Sequence, residues 1–321
     1  MANYSILSRE ESTGATAGRA MKPKSPTATD LLEIHGHRGI LRSSENRGTH
    51  SVFVQLVAAV SFLLIINIPA DAAAVPAVFI FGDSLVDTGN NNYIVSVAKS
   101  DFPPYGRDFP GGTATGRFGN GRILPDFIGE IFGVKNLLPP YKDPTLQMQD
   151  LLTGVSFGSA GPESVRRNAP QKLHGLGARR IGVVGAAPIG CVPLQRILGG
   201  GLLERHCNEE LNEAAKLFNS KLSPAISTLN QQLPGAKIVY FDIFTPALSL
   251  IQNPAPYGIV EVTRGCCGTG TIELGILCVV PGTCPDATKY LFWDSVHPGE
   301  KASRIISDGT FDSASLSTLL G

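Results

Sequence analysis

The chain has 321 residues, 27 Lys and Arg against 27 Asp and Glu, and 43% hydrophobic residues. That balance carries no electrostatic footprint for nucleic acid or an anionic membrane surface, and the apolar share is ample for a core, which excludes wholesale disorder. The 36 Gly and 23 Pro follow no three-residue period, so collagen is excluded and a loop-rich globular fold is indicated.

Residues 1–50 read as a polar extension without sustained periodicity. From Ser51 the text changes: Val52 to Pro69 is apolar apart from Gln55, Ser61 and Asn67, and it leads into Ala70-Asp71-Ala72. A basic flank, an apolar stretch and a small-residue site are the grammar of a secretory signal, so residues 51–72 are read as signal-like and cleavage is expected to leave a mature chain that begins near Ala73. The alternative is a membrane anchor through 52–69, since a span needs roughly 17–25 residues. All six cysteines (Cys191, Cys207, Cys266, Cys267, Cys278, Cys284) lie beyond the leader. An even count in a secreted chain favours disulfides, with 15 pairings open. Beyond the leader no C-x-x-C or H-x-H spacing occurs, so neither a zinc site nor any other metal is expected. The sequon Asn3-Tyr4-Ser5 lies upstream of the leader, so no N-glycan is expected on the mature domain.

Residues 73–321 read as one domain without internal repeats. Ala77 to Phe81 is a short apolar run ending in Gly82-Asp83-Ser84, the pattern of a buried parallel strand stopping at a turn. A polar Asn90-Asn91-Asn92 loop and a Pro/Gly-rich stretch from Pro103 to Gly121 follow. Ile123, Leu124, Phe127, Ile128 and Ile131 are at helical spacing, with Gly133 as the stop. Further strands are predicted at Gly154–Phe157, Ile181–Gly185 and Lys237–Asp242. Between the last two, Leu211, Ala215, Phe218, Leu222, Ile226, Leu229 and Leu233 form the apolar face of a long helix with an expected kink at Pro224. Helices alternating with apolar strands imply an α/β fold with a parallel sheet, whose ligands bind at the carboxyl ends of the strands. Ser84 sits at such an end. The glycine-rich stretch Gly265 to Gly275 lacks both nucleotide-loop spacings and holds two cysteines, so a disulfide-tied surface loop is expected there.

After the leader only His174, His206 and His297 remain. Asp294 precedes His297 by three residues, a spacing that across a tight turn aims the carboxylate at imidazole Nδ1 and leaves Nε2 free to take a proton. A serine hydroxyl is a poor nucleophile at neutral pH and needs such a base, and Ser84 supplies the hydroxyl.

Phe79 to Asn92, including Gly82-Asp83-Ser84-Leu85, resembles the first signature block of the plant GDSL esterase/lipases within the SGNH hydrolases. The similarity continues through Thr115-Gly116-Arg117-Phe118, Pro125-Asp126-Phe127, Gly154 to Gly161, Pro188 to Pro193, Cys266-Cys267-Gly268 and Phe292 to Pro298, covering roughly 75 to 310. The resemblance implies a three-layer α/β/α flavodoxin-like fold and hydrolysis of carboxylic esters of small molecules or lipids. No cofactor or metal is implied. Carried over, Ser84 is the nucleophile, His297 the general base and Asp294 its orienting partner, while backbone N–H groups of Ser84 and Gly161 form the oxyanion hole. Transfer to an alcohol in place of water, and a fold kept without catalysis, are the alternatives. One family element is absent: the third block, which supplies a side-chain oxyanion donor and an interior strand, belongs between Gly161 and Gly177, and only a short stretch stands there. Its loss is expected to leave the first strand without a neighbour and to impair activity. A skipped coding segment would account for this gap and for the unusual extension alike.

Overall fold

The computed structural model describes residues 5–8, 75–161, 169–201, 203–279 and 282–321. The leader and the residues at 162–168 lie outside the described residues.

The first element after residue 75 is a strand, Phe79–Phe81, whose central Ile80 is fully buried. Preceded in the chain by Ser5–Ser8, it is numbered β2, with Ser5–Ser8 as β1. Arg180–Val184 is β3 and Lys237–Phe241 is β4, and these two run parallel with Ile181 opposite Ile238 and Val183 opposite Tyr240. The four form one sheet in the order β2-β1-β3-β4. A smaller parallel pair follows, β5 (Glu261–Gly265) and β6 (Tyr290–Phe292), which the sequence pattern did not signal.

The slot beside β2, expected to be empty, is taken by β1. It pairs antiparallel with β2 (Ile6 opposite Ile80) and with β3 (Ile6 opposite Gly182), so the sheet is not wholly parallel. Two buried strands facing each other across a vacant slot would leave rows of backbone donors and acceptors unpaired, and any extended segment satisfies them in either direction. The expected strand at Gly154–Phe157 reduces to two isolated parallel bridges at Ser156, one to Ile80 and one to Pro140. Gly154 stands at φ +107°, and a Cβ there would come within 1.9 Å of the Val78 carbonyl oxygen, so the chain approaches β2 too closely and too twisted for a regular strand.

Leu124–Ile131 is α1, starting one residue after the first expected position and ending at the last, and Gly133 closes it with its N–H on the Glu130 carbonyl. Its first turn is held by Asp126. That carboxylate accepts from the Ile123 and Leu138 N–H groups and forms a two-pronged pair with Arg117 at 2.8 Å on each side. Arg117 also donates to the Thr88 carbonyl, which ties the loop after β2 to this helix. Met148–Thr153 is α2, Ala169–Gly175 α3 and Pro193–Gly199 α4. Glu209–Gln232 (α5) spans the expected long helix, with Pro224 inside it. Pro224 lies on the exposed face, where water can serve the carbonyl it leaves free. Phe244–Gln252 (α6), Glu300–Thr310 (α7) and Ser313–Leu320 (α8) complete the described helices. The main core gathers Val78, Ile80, Phe241, Leu250, Leu291 and Ile306 around the carboxyl ends of the strands. A second cluster joins Tyr105, Phe118 and Trp293 to the cysteines at 266, 267 and 278.

The disulfides are Cys191–Cys207, Cys266–Cys284 and Cys267–Cys278, and no cysteine is free. The last two close the glycine-rich stretch as a tied loop, as its composition implied. Among the described residues, no helix is long and apolar enough to cross a membrane.

Candidate active site

Beyond Phe81 the chain leaves the sheet and turns at once. The Asp83 carboxylate accepts from the Leu85 N–H at 3.0 Å and starts a 3-10 turn, Ser84–Val86, that holds Ser84 half-buried at the strand end. Asparagines of the following loop fix the neighbouring segment. Asn90 donates to the carbonyls of Ser156 and Gly158, and Asn91 to those of Ala98 and Ala160. Asp87 accepts from the N–H groups of Gly89, Asn90 and Ala160. Burial pushes its carboxyl above the usual 3.8, against the pull of those backbone donors. With the Ser159 N–H on the Gly82 carbonyl, these bonds bring Gly161 to the same end of the sheet as Ser84.

The other half of the site hangs on β6. Beyond Phe292 the chain makes a tight turn, closed by the Trp293 N–H on the His297 carbonyl at 2.8 Å. Asp294 Oδ1 accepts from the backbone N–H groups of Val296 and His297, so the carboxylate builds the turn that carries its partner. β5 packs directly behind: a Cβ on Gly265 would meet the Asp294 carbonyl oxygen at 2.5 Å, and only glycine fits there.

Across this turn His297 Nδ1 lies 2.8 Å from Asp294 Oδ2 and 3.0 Å from Oδ1. On the far side of the ring, Nε2 lies 2.7 Å from Ser84 Oγ. Asp294 is fully buried, His297 is 2% exposed, and the Phe118 ring packs 5.0 Å from the imidazole. The structure thus brings together Ser84, Asp294 and His297, residues up to 213 positions apart. His174 and His206 are at the surface, His174 on the Pro234 carbonyl and His206 near Glu204.

A cavity of about 170 Å³ opens beside Ser84. Its walls are overwhelmingly apolar, with Leu85, Leu124, Ile189, Val192, Ile243 and Ala247 among them. This chamber and the buried Tyr105 hydroxyl, which reaches Asp294, escaped the sequence reading. Tyr105 sits in a Pro/Gly-rich stretch that reads as loop, 189 residues from its partner. No group of His, Cys, Asp and Glu suited to hold a metal ion occurs among the described residues.

The family description GDSL-like Lipase/Acylhydrolase matches residues 78–168 and 162–309, two segments that overlap at 162–168. The chain is 40% identical to GDSL esterase/lipase EXL3 of Arabidopsis thaliana over 312 positions, covering 72% of this chain and 85% of the relative. It is 35% identical to GDSL esterase/lipase At1g59030 of the same plant over 334 positions, covering 78% and 95%. In both cases the aligned stretch exceeds the share of this chain that it uses, so the relatives carry residues with no counterpart here. Matched from residue 78 to residue 309, the chain belongs to the GDSL esterase/lipase family of hydrolases.

Proposed function

We propose that this chain is a secreted serine esterase that hydrolyses carboxylic esters with apolar acyl groups through an acyl-Ser84 intermediate. The observation that carries the reading is the continuous hydrogen-bonded line from Ser84 Oγ through the His297 ring to Asp294. In the first step His297 Nε2 takes the Ser84 proton as Oγ attacks the ester carbonyl. Asp294 holds the tautomer that leaves Nε2 free and stabilises the imidazolium that forms. Negative charge on the carbonyl oxygen is met by the backbone N–H groups of Ser84 and Gly161. His297 then gives its proton to the leaving alcohol, and water, activated by the same nitrogen, releases the acid. The apolar cavity beside Ser84 supports an acyl group rather than a charged one.

Residues 51–72 act in this reading as the secretion signal. The small-residue site after an apolar run supports it, as do three disulfides, which persist in oxidising compartments. Without the third block, charge in the transition state rests on backbone donors alone, and losing one oxyanion donor costs about 10²–10³ in rate. That same absence favours a second reading, a fold retained without turnover.

Hydrolysis of p-nitrophenyl butyrate by the soluble chain separates the two. Slow turnover that vanishes in Ser84→Ala, and rises when the family's missing segment is restored, is the expected result. Equal rates in the chain and in Ser84→Ala would favour the inactive reading. Activity equal to that of the restored chain at equal soluble concentration would show that the third block contributes nothing here. Butanol added as a competing acceptor distinguishes hydrolysis from acyl transfer by the product formed.

A further inference from the structure

Tyr105 is 1% exposed, and its hydroxyl is enclosed on every side. It accepts from the Gly275 N–H at 2.8 Å, which directs its own proton to Asp294 Oδ2, also at 2.8 Å. The ring is set edge-on against Phe102, Phe118 and Trp293, with centroids 5.9 to 6.3 Å apart, so the hydroxyl has no freedom to turn away. Asp294 therefore has each oxygen assigned. Oδ1 builds the turn through Val296 and His297, whereas Oδ2 has the imidazole and Tyr105 as its partners. Gly275 belongs to the loop closed by Cys267–Cys278, and Cys278 Sγ lies 3.5 Å from the phenol oxygen.

We propose that Tyr105 is a positioning residue for the reaction: its hydroxyl fixes Asp294 Oδ2 on His297 and tempers the carboxylate's charge, while anchoring Asp294 to the disulfide-closed loop. The proposal rests on the reading of Ser84 as the nucleophile. Burial, reinforced by the Asp294 charge beside it, pushes the phenol far above its usual 10, so it stays protonated and remains a donor at every working pH. A donor that shares a carboxylate disperses its charge; remove it, and the carboxylate holds an imidazolium more strongly. The other charged groups near the turn are Asp83 beside Ser84, Arg107 over the Trp293 ring, and Glu273, whose carboxylate is occupied by Thr269 and Thr271. Among the described residues none of these three bonds to the Asp294 carboxylate.

The test is the pH dependence of the rate at which a fluorophosphonate labels Ser84 in the full chain. Tyr105→Phe keeps the packed ring and removes the donor. Its limiting rate is expected to fall about 3- to 30-fold, and the acid limb to move up by about 0.5–1 pH unit. Site-specific replacement of Tyr105 by 3-fluorotyrosine keeps the fold and sharpens the donor, so the limb is expected to move down. A residue that merely fills space would slow labelling by one factor at all pH values. Unmoved limbs in both variants would overturn the proposal while leaving the Ser84 reading intact. Failure of the unchanged chain to label above the level of Ser84→Ala would overturn both.

Discussion

Glu273 has a backbone carbonyl that receives the Ser295 N–H inside the turn that carries Asp294 and His297, and a carboxylate that closes the cysteine loop. Burial raises its carboxyl, but the Thr269 hydroxyl and the N–H groups around it win and pull it down from 4.5 to about 2. A folded-state value below the unfolded one means that the group stabilises the fold above about 4.5, and that this contribution is lost as pH falls toward about 2. Glu273→Gln keeps the shape without the charge. Urea midpoints of the two proteins should therefore differ at pH 7 and converge as pH falls through that window; a gap that stays constant would show that the carboxylate's charge is irrelevant. At this scale the sequence was a good guide where chemistry is local. The Asp294–His297 spacing describes a turn that the carboxylate itself builds, so its geometry could be anticipated from two residues. Tyr105 could not, because its partners, Asp294 and Gly275, are set by how a proline-rich loop and a cysteine loop pack together.

Among the elements, those with a buried face and a regular period were legible: β3, β4, α1 and α5 fall within a residue or so of the expected spans. β5 was not, since Glu261-Val262-Thr263-Arg264-Gly265 is only half-buried and alternates too weakly to stand out. β1 was the least legible of all. Four residues in a polar stretch carry no periodicity, and what recruits them is a vacancy between β2 and β3 that exists only in the folded sheet. This strand conflicts with the proposed processing, because cleavage near Ala73 removes it. Each backbone bond lost from the slot is worth about 0.5–1.5 kcal/mol, more if its partner stays buried and unpaired. A chain of residues 73–321 should thus melt roughly 5–15 °C below the full chain. A synthetic peptide of residues 1–10 should recover part of that loss. Equal melting temperatures, with no response to the peptide, would show that β1 contributes nothing to the sheet.

As a whole, the molecule is a GDSL esterase/lipase family member that lacks residues its relatives carry. The sheet is bridged by a strand of the wrong direction, and the oxyanion is left to backbone donors in the proposed mechanism. What survives is the scaffold that aligns Ser84, His297 and Asp294, held by the Arg117–Asp126 pair, the asparagine stitches and three disulfides. The central claim is that Ser84 is a nucleophile made reactive by His297, and covalent labelling tests it without requiring turnover. The soluble full chain is treated with a fluorophosphonate at pH 7.5, digested, and the modified peptide identified by mass. The account predicts one adduct, on Ser84, absent in Ser84→Ala and formed at least about 100-fold more slowly in His297→Ala. An adduct elsewhere, or labelling of Ser84 at an unchanged rate in His297→Ala, would contradict it.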